Sequence, residues 1–522
     1  MNTKKLNILF FCRSQKTKLM VHLAKALKDF GWLGNASAFV VYYHEWKDYL
    51  RTQGYVKFER IYASDAIFRR MGSERIDRKE IERLERTYGD QEIWNIVFSE
   101  RYLASLEHHN AYNHPKYSDE DVLRFVQFCF QEAERIFEEI HPDCIIDFAA
   151  VGICRGIFNL VAQRRGIPYF YIRGALLENR FFISLHASDE NETIQKTYRY
   201  LLDINAPCEE GFGYLRQFRE TPQESVYRFH RIVGNCSSNN PKKRLREYFQ
   251  AGKSNALKPL KLAKAIIGEI DLRISAKHKP ELRYNFQLYK GLPSIRLYRS
   301  ILKWSRKVEL FLNPPFENDP LPDDYVLLTL HLQPEASTSV MAPFFANQRY
   351  VIENVARALP LHWKLVVKPN PLMIGREPVR FYRHIQNIPN VQLISPAART
   401  RELILGSRAV IAITGTSGFE ALLLGKKVIV LGKPIWGVCQ SAVRCTDFMK
   451  LHSILRDAEC YKSDDNDLAA YLEALHENSF PLEKNYIWKG PYDLSIPGYR
   501  KAIDEIGRQV LKAFQAYQES RS

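Results

Sequence analysis

The chain has 522 residues, of which 46% are hydrophobic, and a formal net charge of +16. A chain of this length and apolar content can bury large cores and is expected to form two or more domains. Its nine cysteines are scattered and include no Cys-x-x-Cys pair, which favours a reducing compartment and argues against a zinc site. No window approaches the roughly 18 apolar residues of a membrane-spanning helix, and the N-terminus lacks the features of a signal peptide. We therefore expect a soluble cytoplasmic protein, or one attached to a membrane from outside.

The first part of the chain predicts an α/β domain. Short apolar strands are predicted at residues 6–12, 37–43, 143–148 and 167–172, with helices at residues 17–30 and 152–165. A strand, a helix and a second strand in succession form a crossover unit, which implies a parallel sheet. Between these units, residues 65–139 are charged and helical in pattern.

Most of the excess positive charge lies in residues 241–310, which carry 18 Lys/Arg against 5 Asp/Glu and hence a net charge of +13. Within this segment, residues 257–270 place an apolar stripe between lysines, and aromatic residues follow among arginines. Basic amphipathic helices with aromatic anchors are typical of proteins that bind an anionic membrane surface, here the inner face of the cytoplasmic membrane. A solvated helical insertion is the alternative. Nucleic acid is not expected as a partner, because no recognition motif accompanies the basic residues.

After residue 320 the alternation of strands and helices restarts and becomes more regular. Strands are predicted at residues 325–332, 363–368, 391–394 and 408–413, with helices at residues 351–359, 381–386 and 401–406. The predicted fold class is therefore α/β, with two Rossmann-like domains, a cleft between them and a basic, mainly helical insertion. The predicted boundaries are 1–190 for the N-terminal domain, 191–320 for the insertion, 321–480 for the C-terminal domain and 481–522 for a helical C-terminal segment.

The most informative stretch, residues 411–430, predicts a strand, a tight polar turn, a helix and a second strand. Gly415 and Gly418 allow a sharp turn and a close approach to a ligand. Thr416 or Ser417 is expected to cap the helix, whose N–H groups and positive dipole end attract phosphate. One turn farther on, Glu420 can accept hydrogen bonds from ribose hydroxyls. The alternative is a well-capped helix without a ligand.

Polar loops follow three of the predicted strands in the second half of the chain. They are residues 331–338, 368–371 and 414–418. Ligands of open α/β sheets bind outside the carboxyl ends of the strands, so these loops are expected to face one crevice. Their cation, amides, hydroxyls and carboxylate suit a sugar nucleotide. For any one loop, a purely structural turn is the alternative.

These motifs resemble the capsule polysaccharide biosynthesis family. The runs that carry the resemblance are His331-Leu-Gln-Pro-Glu-Ala-Ser, Lys368-Pro-Asn-Pro, Leu393-Ile-Ser-Pro and Ile413-Thr-Gly-Thr-Ser-Gly-Phe-Glu. That family comprises bacterial glycosyltransferases of the GT-B type, including Kdo transferases that act on lipid-linked capsule acceptors. The resemblance spans residues 325–437 and extends weakly to residues 167–181. One departure is Asn370, where the family usually carries a His that can hold a proton or a charge.

The resemblance implies a function and a set of site residues. It implies transfer of a sugar from a nucleotide-sugar donor, CMP- or UDP-linked, to a surface or capsular glycan acceptor, with no other cofactor and no metal. The N-terminal domain would bind the acceptor. The donor would be held by His331, Gln333, Lys368, Asn370, Thr414, Gly415, Thr416, Ser417, Gly418 and Glu420.

Candidate catalytic residues follow from the same chemistry. Lys368 and the N–H groups of the turn at 415–418 would neutralise charge on the leaving phosphate. Glu178 is the candidate base of an inverting enzyme, and Glu335 the carboxylate that a retaining enzyme would place against the sugar. Two alternatives stay open: a teichoic-acid-type polyol-phosphate transferase that uses a CDP-alcohol, and a non-catalytic protein that binds a nucleotide-sugar or polyanion.

Overall fold

The computed structural model of the chain describes residues 5–42, 46–100, 118–149, 151–188, 191–221, 293–317, 319–333 and 335–521, together with positions 267, 270 and 274. Most of the basic segment at 241–310 and Pro334 therefore lie outside the described residues. In the described part, two separate sheets carry the architecture.

The N-terminal sheet has seven strands in the order β13-β6-β5-β4-β1-β2-β3. Its strands are β1 (Leu6–Cys12), β2 (Leu33–Val40), β3 (Phe58–Ala63), β4 (Cys144–Asp147), β5 (Tyr169–Gly174), β6 (Arg180–Ser184) and β13 (Phe480–Pro481). Strands β1 to β5 pair in parallel, whereas β6 and β13 pair antiparallel. Because side chains alternate across the sheet, Phe10 packs into the core on one face and Phe11 into the core on the other.

Helices cover both faces of this sheet. They are α1 (Lys16–Asp29), α2 (Trp46–Thr52), α3 (Asp65–Ser73), α4 (Arg78–Tyr88), α5 (Asp90–Ser99), α6 (Asp119–Ile140) and α7 (Ile153–Arg164). The longest of them, α6, begins at a capping box between Ser118 and Asp121 and ends at His141 in the left-handed conformation. Two further helices, α8 (Glu192–Asp203) and α9 (Glu209–Glu220), lead toward the second sheet.

The C-terminal sheet has six strands, all parallel, in the order β12-β11-β10-β7-β8-β9. Its strands are β7 (Tyr325–Thr329), β8 (Lys364–Lys368), β9 (Val391–Leu393), β10 (Ala409–Ala412), β11 (Lys427–Val430) and β12 (Ala442–Arg444). Counted within this domain, the order is 3-2-1-4-5-6 from one edge, as in a Rossmann fold. Nearly every strand residue is buried, because helices lie on both faces.

The remaining helices surround this sheet or return to the first one. They are α10 (Pro293–Leu312), α11 (Ala336–Ser339), α12 (Gln348–Ala358), α13 (Val379–Gln386), α14 (Thr400–Gly406), α15 (Thr416–Leu423), α16 (Leu451–Arg456), α17 (Asp465–Glu477), α18 (Lys484–Trp488) and α19 (Pro497–Glu519). Short 3-10 turns occur at Pro343–Phe345, Pro371–Met373, Ile435–Val438, Phe448–Lys450 and Asp457–Cys460.

The chain crosses twice between the two sheets. On the first crossing, α8 and α9 pack against α17, and Arg219 of α9 forms a two-pronged ion pair with Asp465 at 2.6 and 2.7 Å. After α17 the chain returns to the N-terminal sheet, where β13 pairs with β6 and α19 packs against α1.

The predicted fold class is confirmed for the described residues: the chain is an α/β protein with two Rossmann-like domains. Of the described helices, none is long and apolar enough to cross a membrane.

Candidate functional site

The candidate site lies where β7 and β10 leave the C-terminal sheet side by side. At this position the strand order reverses, so the connections after the two strands lead away from each other and open a crevice. Hydrogen bonds join the two strand ends. The hydroxyl oxygens of Thr329 and Ser417 lie 2.5 Å apart, and the Thr414 N–H donates to Nε2 of His331 at 3.3 Å. The loops at 331–338 and 414–418 are therefore adjacent.

The turn at residues 414–418 is built from close backbone packing. The structure corrects the expected cap: Gly415, with φ −66° and ψ 151°, is the N-cap of α15, and Thr416 and Ser417 are already helical. The Thr414 hydroxyl donates to the Ser337 carbonyl at 2.7 Å. At Gly418, an added Cβ would lie 2.5 Å from the Trp436 ring, so only glycine allows the helix to approach so closely.

His331 is buried and holds the turn rather than supplying a charge. Burial lowers its pKa to about 4, so the ring is neutral near pH 7 and its Nε2 accepts the Thr414 N–H. The backbone of His331 is fixed by the Gln348 side chain, which accepts from its N–H at 2.6 Å and donates to its carbonyl at 3.3 Å. The histidine therefore acts as a neutral acceptor that shapes the phosphate turn.

Gln333 and Asn370 organise the neighbouring loops. The Gln333 side chain donates to the Ala346 carbonyl, and its backbone N–H donates to the Met373 sulfur at 3.3 Å. The side-chain Oδ1 of Asn370 accepts the Leu372 N–H at 2.9 Å and caps the 3-10 turn that follows. The side-chain oxygen of Asn370 thus serves the turn, and its amide group is the part that can donate to a ligand.

Lys368 and Glu420 bring opposite charges to the same crevice. Lys368 ends β8, is buried, and donates to the Pro396 carbonyl at 3.1 Å. Burial lowers the pKa of Lys368 to about 8, while the charge of Glu420 opposes that shift. Glu420 lies in α15 and is only 4% exposed, so its carboxylate faces protein rather than bulk water.

Glu178, the candidate base, belongs to the N-terminal sheet. It is exposed in the tight turn between β5 and β6, next to Asn179, whose φ is 52°. Tyr214 of α9 connects the two regions: burial raises its pKa to about 12, and the charges of Glu178 and Glu420 add to that shift. Both carboxylates therefore lie near one phenol. The nearby Arg180 is engaged elsewhere, because its guanidinium donates to the Ser479 hydroxyl at 2.8 Å.

Glu335 lies at the start of α11, on the exposed side of the crevice. Its carboxylate accepts the Ser337 hydroxyl at 3.1 Å, and its carbonyl accepts N–H groups from the short helix. Helix α11 and the following 3-10 turn contact α5 of the N-terminal domain. The contact of α11 with α5, together with that of α9 with α15, brings the two domains together beside the crevice.

Some residues of the crevice were not predicted from the sequence. Thr329, Gln348 and Tyr214 contribute contacts described above and lie outside the predicted loops. Gly432, directly after β11, is a further one, because an added Cβ would lie 2.5 Å from the Thr414 side chain. Thr329 and Gly432 could have been predicted from the sequence, because both lie at the carboxyl ends of apolar runs. Tyr214 carries no such signal.

The corresponding edge of the N-terminal sheet is filled by ion pairs and hydrogen bonds. Asp147, at the end of β4, accepts from the Arg155 guanidinium at 2.6 Å and from the Tyr169 hydroxyl at 3.0 Å. Beside it, the Tyr42 hydroxyl donates to the Glu100 carboxylate at 2.6 Å. Tyr42 has a φ of 65°, which bulky residues rarely adopt.

Metal ligation has no evident place in the described part of the chain. None of the described His, Cys, Asp and Glu side chains form a group of three or more that could hold a metal ion.

Comparison with known proteins adds the following. Residues 319–471 match the model of the family described as capsule polysaccharide biosynthesis protein. Protein FixF of Sinorhizobium fredii is 34% identical over 91 residues, which are 17% of this chain and 22% of that protein, so the match spans about a fifth of that relative.

Solved structures resemble the chain only weakly. The β-Kdo 2,7 transferase KpsC of Thermosulfurimonas dismutans has a TM-score of 0.31 and 11% identity, over 80% of this chain and 96% of that one. The UDP-GlcNAc 2-epimerase of Neisseria meningitidis has a TM-score of 0.22 and 11% identity, over 97% and 100% of the chains. TM-scores this low do not support an inference about the activity of this chain.

The family match covers every C-terminal loop of the crevice and confirms the resemblance found in the sequence. The match is confined to residues 319–471, so the chain resembles the capsule polysaccharide biosynthesis protein family through its C-terminal domain.

Proposed function

We propose that the protein is a metal-independent glycosyltransferase that transfers a sugar from a nucleotide-sugar donor to a glycan acceptor of a surface or capsular polysaccharide. The observation that carries this proposal is the crevice at β7 and β10, where a glycine turn, a buried lysine and a buried carboxylate meet. The family match over the same residues supports it.

The donor phosphates would bind at the start of α15. Gly415, the N-cap, would bring the first backbone N–H groups of the helix close to a ligand, and the positive end of the helix dipole favours an anion. Lys368, at the end of β8, supplies the cation. Glu420 would accept hydrogen bonds from the ribose on the inner side of the turn. His331 keeps the turn in place while remaining neutral.

In the transfer step, a hydroxyl oxygen of the acceptor bonds to the anomeric carbon as the bond from that carbon to the donor phosphate breaks. The electron pair of the broken bond stays on the phosphate, where Lys368 and the N–H groups stabilise it. The hydroxyl proton passes to a base. Glu178 is our candidate for an inverting enzyme, because its charge acts on Tyr214 together with that of Glu420; Glu335 is the candidate partner of the sugar for a retaining one.

We also propose that the protein works in the cytoplasm, on the inner face of the membrane. The support is the net charge of +13 over residues 241–310. The lysines that would contribute most, Lys258, Lys261 and Lys264, lie outside the described residues.

Calorimetric titration with CMP, UDP, GDP and CDP tests the donor site. Lys368→Ala should weaken binding of the preferred nucleotide by about 1.5 to 3 kcal/mol, because a charged donor to phosphate is lost. Lys364→Ala is the matched control: it removes an exposed lysine from the opposite end of the same strand. Equal losses in the two variants would reject Lys368 as a phosphate ligand.

The nucleotide panel also separates the alternatives. A preference for CDP would favour the polyol-phosphate reaction, and CMP or UDP a sugar donor. Tight nucleotide binding without turnover on any glycan acceptor would favour the non-catalytic alternative. Saturation at a hundred times the dissociation constant should stabilise the protein by about 2.7 kcal/mol, so thermal shifts provide a rapid first screen.

A further inference from the structure

The outward face of α10 is apolar, although the helix belongs to a basic segment. Ile301, Trp304 and Leu312 are 56%, 47% and 66% exposed. At 100° per residue, these three positions and Val308 fall within an arc of about 80° on one side of the helix. A surface helix of a globular protein normally exposes its polar face to water. Helix α10 exposes its apolar face instead.

The opposite side of α10 packs on the C-terminal domain and carries the charges. Leu310 lies in the core beneath the C-terminal sheet. The Arg306 guanidinium donates to the Arg376 carbonyl, and Lys303 and Lys307 lie against Gly375. Burial lowers the pKa of both lysines. Contacts with the protein thus hold the helix with its apolar stripe outward.

A second set of exposed apolar residues precedes α10 in the chain. Ile267, Ile270 and Ile274 are helical positions spaced three and four residues apart, and all three are more than half exposed. The sequence between 241 and 292 contains 13 Lys/Arg against 4 Asp/Glu. Apolar stripes are therefore accompanied by a strong positive charge, the combination that matches an anionic lipid surface.

We propose that the stripe formed by Ile301, Trp304, Val308 and Leu312 inserts into the interface of an anionic membrane. The charge of the preceding segment would attract the surface, and the stripe would provide the apolar contact, with Trp304 at the level of the headgroups. This rests on the proposed function only in that a membrane-borne acceptor would be brought to the crevice.

The position of α10 fits that role. Its contacts with Gly375 and Arg376 lie directly after the 3-10 turn at Pro371–Met373, which Asn370 caps. Met373 in turn contacts the backbone of Gln333. The docking helix is thus one loop away from the phosphate site, so a membrane-bound enzyme would hold its crevice near the lipid surface.

Co-sedimentation of the full chain with vesicles tests this proposal. Vesicles of phosphatidylcholine with a third phosphatidylglycerol are compared with pure phosphatidylcholine. The triple variant Ile301→Ser, Trp304→Ser and Leu312→Ser should bind the anionic vesicles at least tenfold more weakly than the wild type. Leu361→Ser is the control, because Leu361 is fully exposed just before β8, at the opposite edge of the sheet. It should bind as the wild type does.

The outcomes separate this inference from the proposed function, because vesicle binding needs no donor and nucleotide binding needs no vesicle. Wild-type binding by the triple variant, or no wild-type preference for anionic vesicles, would overturn the docking face. A concentration-dependent dimer that the triple substitution abolishes, without vesicle binding, would overturn it in favour of a second copy. Unchanged nucleotide affinity in the triple variant shows that it is folded.

Discussion

The carboxyl ends of the two sheets are built in opposite ways on the same topology. In the C-terminal sheet, the position where the strand order reverses is lined by glycines, hydroxyls and a neutral histidine, with Lys368 and Glu420 at its margin. In the N-terminal sheet, the equivalent position is occupied by the Asp147–Arg155 ion pair, whose carboxylate also accepts the Tyr169 hydroxyl.

The same Rossmann-like topology therefore forms a proposed ligand site in the C-terminal domain and a stabilising ion pair in the N-terminal domain. Small side chains leave backbone N–H groups and space at the C-terminal edge, so an anionic ligand can complete the site. The buried charges of Asp147 and Arg155 at the N-terminal edge already pair with each other, so they stabilise that edge. We therefore expect substitutions at the N-terminal edge to change stability, and substitutions at the C-terminal edge to change nucleotide binding.

The largest effect is expected at Asp147. Asp147→Ala leaves the Arg155 charge buried without its partner and should lower the free energy of unfolding by about 3 to 5 kcal/mol. Denaturant unfolding followed by circular dichroism measures this. The double variant Asp147→Leu with Arg155→Met should lose much less, because no charge is stranded. Similar losses in the two variants would contradict the role assigned to the ion pair.

An intermediate effect is expected at Gly418. In Gly418→Ala, the new methyl group would meet the Trp436 ring at 2.5 Å and the Ala412 side chain at 2.7 Å, so overpacking should cost about 1 to 3 kcal/mol. Nucleotide affinity should fall as well, because the turn must shift. Gly213→Ala in α9 is the control, since nothing lies within 4 Å of an added Cβ there. It should leave nucleotide affinity unchanged and stabilise the helix slightly.

The smallest effect concerns pH. Lys368 has a pKa of about 8 in the free protein, and an anionic donor binds its charged form. Affinity for a nucleotide-sugar should be nearly full at pH 7 and about tenfold lower at pH 9, because the charged fraction of Lys368 falls from about nine-tenths to about one-tenth across that range. Calorimetry across this range measures the slope, and Lys368→Ala should flatten it. A wild-type profile that is already flat would remove Lys368 from the site.

The free energy of unfolding of the free protein also depends on the protonation of Lys368. This dependence on pH runs opposite to that of nucleotide affinity. Because burial lowers the pKa of Lys368 in the folded state, the unfolded chain binds more protons between about pH 8 and the ordinary lysine pKa near 10.4. The contribution of Lys368 to folding therefore becomes more favourable as pH rises through that window.

Periodicity and turn residues were enough to predict the two-domain fold. Buried parallel strands such as β10 and β11 are continuous apolar runs, and glycines or polar residues mark their ends. Strand β3 was missed because Glu59 and Arg60 interrupt its apolar pattern at the sheet edge. Strands β6 and β13 pair although they lie about 300 residues apart in the sequence, so no local pattern predicts either strand.

The candidate site was predictable in composition but not in arrangement. The loop residues that end β7, β8 and β10 do converge, as parallel topology requires. The individual tasks of His331 and Gln333, which bind other loops, depend on tertiary contacts with Thr414 and Ala346. The same holds for Tyr214, whose place beside Glu178 and Glu420 follows from packing between domains. The assigned roles in donor binding and catalysis stay predictions.

The return of α19 to the N-terminal domain bears on how the protein is made. Tyr499, Ile503, Ile506 and Val510 of this helix belong to the same core as Leu23 and Leu27 of α1. The ribosome synthesises α1 several hundred residues before α19, which begins at residue 497. The face of α1 that packs against α19 therefore stays exposed to solvent until the C-terminal domain has been synthesised. During that interval the nascent chain should be a substrate for chaperones.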